Sequence, residues 1–241
     1  MKRNLTKKQA ILLLLLFIIV VTFLSCATQI NGTISADGSA AFNTRMSLEP
    51  GITALLHRLF IAGGQASRQT LDGPTIAQSM ANAPGIASVT FSNTSPTAIE
   101  GQIQISQIND FLAATDGRRF ISFTQSRTGG RFTFNVNRTD SPAILALLSP
   151  DITDYLNALM APIATGEVMT KNEYLMEVAS FYNRTIRDEI ASSRIRAAID
   201  FPGPVTNVRG GTFSGRRVNF DIPLIDFLVL ETPLSYEVTW N

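Results

Sequence analysis

One cysteine, one histidine and one tryptophan stand in 241 residues. The single thiol, Cys26, excludes an internal disulfide. With only His57 beside it, the chain lacks the soft donor set that zinc or haem sites use. Charge of one sign is missing too: 20 Lys and Arg face 19 Asp and Glu, a formal net charge of +1. A protein built to coat nucleic acid needs a strong basic excess to displace counterions, so that class is excluded. G-x-S-x-G, H-E-x-x-H and G-x-G-x-x-G are all absent. No apolar run reaches the roughly 20 residues that span a bilayer as a helix.

What is present begins at the N-terminus. Lys2, Arg3, Lys7 and Lys8 precede a 15-residue apolar run, Ala10–Leu24, broken only by Thr22. A short apolar run with basic residues before it and small ones after it reads as an export signal. Without residues 1–25 the chain carries 16 basic against 19 acidic groups, a net charge of −3. That weakens attraction to anionic surfaces further.

The run ends Phe23-Leu24-Ser25-Cys26-Ala27. It resembles a bacterial lipoprotein signal, in which a small residue precedes a cysteine that is acylated and becomes the new N-terminus. Acyl chains at about 0.8 kcal/mol per buried CH₂ hold a soluble body on a membrane firmly. Phe23 and Leu24 depart from the Leu and small residue usual at those positions, a looseness resembling spirochaetal signals. Two other outcomes fit the same residues: ordinary cleavage after Ala27, or retention as a short uncleaved anchor. The resemblance implies residues 1–25 as signal peptide, lipidation at Cys26, and an exported body over 26–241. Ala27 supplies no aspartate-type retention signal, which points to the outer rather than the inner membrane.

Periodicity organises the body. Asp37-Gly38, between Ile30–Ile34 and Ala41–Leu48, predicts a hairpin with a two-residue type I′ turn. Ile52, Leu55, Leu56, Leu59 and Phe60 form a helical stripe over Gly51–Ala62, and Pro74 opens a second helix ending near Ala83. Ile86–Phe91, Ile99–Ile105, Phe120–Phe123 and Phe132–Val136 alternate as strands of an antiparallel sheet, the last two joined through Thr128-Gly129-Gly130. Ser141-Pro142 and Ser149-Pro150 have the form of helix starts, the second leading a face of Leu156, Leu159, Met160 and Ile163. Thr170 and Glu173 have capping-box spacing and predict one long helix from Lys171 to about Ser192. Strands return at Ile195–Phe201, Thr212–Ile222 and Ser235–Trp240. The fold expected is a single α+β domain, an antiparallel sheet with helices on one face.

Chemistry-bearing constellations are few. His57 has no nucleophile with it and reads as a helix-surface residue. Glu173/Glu177 and Asp151/Asp154 have helical spacing but suit solvated faces better than a cation. Gly210–Arg216 has two-glycine spacing but lacks the Lys-Ser/Thr of a phosphate loop, and fits a turn. Arg118, Arg119, Arg127, Arg131 and Arg138 fit a solvated sheet face better than an anion site. No catalytic residue, metal ligand or cofactor is therefore expected. The dense apolar stretch Pro223–Leu234 reads as a short amphipathic helix closing the sheet, or as the wall of an apolar cavity, or as a segment dipping toward the bilayer.

Cys26, the Asp37-Gly38 hairpin and the block IDFPGPVTNVRGGTFSGRRVNFDIPL, ending near Trp240, together resemble the LppM-like bacterial lipoproteins, and more broadly a spirochaetal lipoprotein. The resemblance implies an α+β domain concerned with membrane lipid, and only Cys26 carries over as a site. The expectation is a non-enzymatic envelope lipoprotein, lipid-anchored and binding a lipid or other apolar ligand at residues the sequence leaves unknown. The alternative is a scaffold offering a sheet edge to another envelope protein.

Overall fold

The computed structural model describes residues 27–241 except 63, 65–69, 82, 115–116, 148–152, 154–155 and 158. Cys26, the export segment, the Ser149-Pro150 helix start, Asp151 and Asp154 therefore lie outside the described residues.

Alternation at 27–48 produces β1 (Ala27–Ile34) and β2 (Ala40–Ser47), antiparallel from Ala27 opposite Ser47 to Ile34 opposite Ala40. The hairpin is as expected; its turn is not. Residues Ser35–Ser39 bridge the strands, and only Gly38 takes a positive φ, 83°. The Asp37 carboxylate accepts from the Ser39 N–H at 2.9 Å and its hydroxyl at 2.7 Å. That side chain closes the loop in place of a second left-handed residue. Helix α1 (Pro50–Ala62) buries Ile52, Leu55, Leu56 and Phe60. Helix α2 (Gly73–Met80) starts on Asp72, whose carboxylate accepts from the Thr75 N–H at 3.1 Å. Strands β3 (Ile86–Ser95) and β4 (Ala98–Ile105) follow, then α3 (Ile108–Ala114). The hairpin β5 (Ile121–Ser126) and β6 (Gly129–Val136) turns at Arg127-Thr128, so the glycines open β6 instead of forming the turn.

The helical section is more divided than the periodicity predicts. Helix α4 (Ser141–Leu147) does not start on its serine: an Asn137–Asp140 capping box precedes it, and Ser141 Oγ is buried without a partner. The Leu156–Ile163 face is interrupted by a positive φ at Met160, 53°, before α5 (Pro162–Thr165). The Thr170/Glu173 capping box forms, but the helix it opens, α6 (Lys171–Phe181), stops short. The Asn183 side chain accepts from the Ile186 N–H at 2.9 Å and starts α7 (Arg184–Ser192). An amide that can cap outcompetes continuation of the helix.

Strands β7 (Arg194–Asp200) and β8 (Val205–Arg209) come next, the second without a strand pattern in the sequence to mark it. The Thr212–Ile222 stretch is a hairpin, β9 (Thr212–Ser214) and β10 (Arg217–Pro223), folded at Gly215. Helix α8 (Leu224–Val229) and β11 (Leu234–Trp240) complete the order. The domain is α+β, as expected. Its strands divide between two sheets: a seven-stranded one, β3-β4-β2-β1-β7-β10-β9, and a four-stranded one, β5-β6-β11-β8. All neighbours are antiparallel except β1 and β7, which run parallel from Ala27 beside Arg194. One core cluster joins Met46, Ile99, Ile103 and Val218 of the large sheet to the helices and to Phe123, Val136 and Val238 of the small one.

Candidate functional site

Alternation on five strands aims apolar side chains into the space where the two sheets face each other. From the large sheet come Ile30 on β1, Ile195, Ala197 and Ile199 on β7, and Phe220 and Ile222 on β10. From the small sheet come Phe132 and Phe134 on β6, and Leu234 and Tyr236 on β11. Phe227 of α8 closes one end, and the cleft so formed measures about 150 Å³. Tyr236 ties the sheets together. Its ring meets Phe220 edge-on at 5.6 Å and lies 6.0 Å from Phe134 on the neighbouring strand. Phe201 carries a second aromatic contact between the sheets, 5.1 Å from Trp240 and 6.0 Å from Phe132.

Among the described residues the wall has one polar side-chain atom, the Tyr236 hydroxyl. Burial pushes that phenol up, and the Asp226 and Asp221 carboxylates add to the shift, so it stays neutral at physiological pH. Many of the lining side chains, Phe132, Phe134 and Ile199 among them, are only half-buried. An enclosed apolar cavity of about this size holds a benzene-sized molecule. An open cleft of the same size accommodates a ring or a short length of one acyl chain, and ordinary drug-sized pockets are larger, about 300–1,000 Å³.

Helix α8 sits where the sequence placed its apolar stretch. It is not amphipathic: Leu224, Ile225, Phe227, Leu228 and Val229 are all buried. Its acidic residue, Asp226, pairs with Lys171 at 2.7 Å, which raises the lysine above its ordinary value. The Lys171 N–H also donates to Glu231 at 2.9 Å, so α8 and the turn after it are both tied to the start of α6.

The other residues singled out by sequence do not converge. His57 is exposed on α1. Glu173 is spent on its own capping box, where the Thr170 backbone and hydroxyl lower its pKa. Arg131 joins Arg209 on Glu237, at 2.8 and 2.7 Å, whereas Arg138 turns inward to the carbonyls of Met169 and Val229. Gly210 and Gly215 take positive φ in turns, and no helix follows them as a phosphate loop requires. Among the described residues no group of three or more His, Cys, Asp or Glu could hold a metal ion. Nothing in the sequence singles out Phe132, Phe134, Ile199 and Tyr236 as residues of a cleft. Their signal, aromatic alternation on β6 and β11, marks a buried face without saying what it faces.

No helix among the described residues is long and apolar enough to cross a membrane. No family model matches the chain, and no curated protein matches it. Among solved structures it is similar to the NMR structure of the folded domain of LppM from Mycobacterium tuberculosis. The TM-score is 0.40 at 12% identity, covering 89% of this chain and 88% of that one.

Proposed function

We propose that this chain is a non-enzymatic envelope lipoprotein whose α+β domain takes an apolar chain, such as a stretch of lipid acyl group, into the cleft between its sheets. The observation that carries the reading is a cleft walled by aliphatic and aromatic side chains from both sheets, with a single hydroxyl in its lining. Each methylene moved from water into such a wall contributes about 0.8 kcal/mol, so the inserted length sets the strength of binding. The body is held to the membrane, the outer one in this reading, by acylation of Cys26 under a signal of the loose spirochaetal kind. Ala27, the first residue of β1, follows that cysteine directly, so the cleft stays close to the lipid surface.

Two measurements test the two halves. Metabolic labelling with a fatty-acid analogue is expected to mark the wild-type chain and not Cys26→Ser; equal labelling of both sinks the anchor. Native mass spectrometry of the chain extracted from its own membrane is expected to retain an apolar molecule that Ile199→Trp, which fills the cleft, releases. A chain that carries no such molecule and does not bind a fluorescent fatty-acid probe overturns the ligand.

The scaffold alternative has less support. In the large sheet, edge strand β3 is irregular at both ends, between Ile86 and Ser88 and between Asn93 and Ser95, and the other edge, β9, has three residues. In the small sheet, the pairing of edge strand β8 shifts register at Thr239/Trp240, while edge strand β5 keeps a regular register over six residues. Bulges and shortness are the devices that discourage edge pairing.

A further inference from the structure

We propose that the end of the large sheet at which β1 begins is a membrane-docking surface, where α1 and the β3–β4 turn lie on the bilayer. The inference rests on acylation of Cys26 and adds to it which side of the domain meets the lipid. Ala27 stands opposite Ser47 on β2 and beside Arg194 on β7. Ser47 in turn pairs with Ala98, Ala98 with Ser95, and Arg194 with Pro223. One end of each of β3, β4, β2, β1, β7 and β10 therefore lies level with the residue that follows the anchor. No tether separates them, because Ala27 is already part of the ladder. Lipid fixed one residue ahead of Ala27 brings this end of the sheet against the headgroups.

What the chain places at this end suits a lipid surface. Helix α1 follows β2 through Leu48, and the N–H groups of Gly51 and Ile52 in its first turn donate to Glu189 of α7 at 2.8 Å each. From there it reaches the turn between β3 and β4. Leu48, Pro50, Ala54 and His57 form with Pro96 and Thr97 the walls of an open groove of about 690 Å³. Pro50, Ala54 and His57 are exposed, and Ile61, one turn further along the same stripe, is 52% exposed. Among the described residues no Asp, Glu, Lys or Arg lines the groove. Glu49 and Arg58 neighbour the stripe, and Arg194 stands beside Ala27, all three outside that lining. Lipid seated in the groove therefore strips water from apolar side chains and from no lining charge. Exposure alone favours another surface, since Val168, Met176 and Phe181 around α6 are more exposed than Ile61. Nearness to the anchor decides for α1. The Leu224 N–H donates to the Ser193 carbonyl at 3.0 Å at this same end. Helix α8, and with it the end of the cleft that Phe227 closes, thus faces the bilayer.

The test is fluorescence quenching of the full chain, extracted from its own membrane and reconstituted into phosphatidylcholine vesicles with or without brominated acyl chains. Trp240 is the internal control. It meets Phe201, seven residues beyond Arg194 along β7, which puts it about 23 Å from the anchor end at 3.3 Å per residue. Its emission is expected to be the same in both kinds of vesicle. Ala54→Trp and Pro96→Trp each add a second indole at an exposed position. The added emission is expected to fall about twofold in brominated vesicles, as for a side chain about 5–10 Å into the headgroup boundary. Two positions on separate elements keep the reading if one variant fails to fold. Flotation with the vesicles separates this inference from the anchor on which it rests. A chain that floats but shows no quenching at positions 54 and 96, or shows it only in Met176→Trp or at Trp240, overturns the docking surface and leaves the anchor standing. A chain that does not float overturns both.

Discussion

Tyr236 is the residue on which the meeting of the two sheets turns. Its ring bridges Phe134 and Phe220, and a Cβ added at Gly210 would lie 2.4 Å from it. Tyr236→Ala is expected to lower stability by about 3 kcal/mol, read by chemical denaturation, through lost aromatic packing and the void left behind. Tyr236→Phe keeps the ring and is expected to cost under about 1 kcal/mol, because the hydroxyl alone is removed. Glu237, one residue on, acts through charge. Hydrogen bonds from Arg131 and Arg209 hold its carboxyl below the ordinary glutamate value. The stability it contributes is therefore present above that ordinary value, roughly pH 4.3, and lost as pH falls through the depressed one. Melting temperature measured from pH 6 to pH 3 is expected to decline less in Glu237→Gln than in wild type, which sinks the idea if the two curves run parallel. Neither role was legible beforehand: alternation on β11 marks which side chains share a face, while partners on β6, β8 and β10 come only with the topology.

At the scale of elements, what is local in cause was legible. The Thr170/Glu173 capping box, the stripe of α1 and Pro74 in the first turn of α2 all depend on residues within one or two turns of each other. Where two local solutions competed, the sequence did not decide. Asn183 stands within a continuing apolar pattern, and only its bond to the Ile186 N–H shows that a new helix begins there. Asn183→Ala removes that cap and is expected to destabilise the domain by about 1 kcal/mol, with loss of the break between α6 and α7 visible as altered amide exchange at 182–186. Sheet membership was beyond reach for a different reason. Period two assigns faces and not partners, so β3-β4 and β5-β6 read as one sheet although they belong to two. The candidate cleft falls between those sheets, which is why no residue of it could be named in advance except through the apolar density of Pro223–Leu234.

For the whole molecule, the single core cluster joining both sheets sets the expectation of one cooperative unit. Trp240 reports on it cleanly: it is the sole tryptophan, buried, 5.7 Å from Phe123 and 5.1 Å from Phe201. Its fluorescence and far-UV circular dichroism are expected to give coincident unfolding curves, and separated transitions would mean that the two sheets melt independently. β1 is bonded to β2 close by in sequence and to β7 far along the chain, so the large sheet closes only when distant segments meet. That placement also has a mechanical side. A pull exerted ahead of Ala27 runs along the axis of an interior strand clamped on both flanks, so the load falls on two ladders sheared together rather than peeled apart rung by rung. Under the proposed acylation of Cys26, the membrane would hold the domain by this doubly flanked strand.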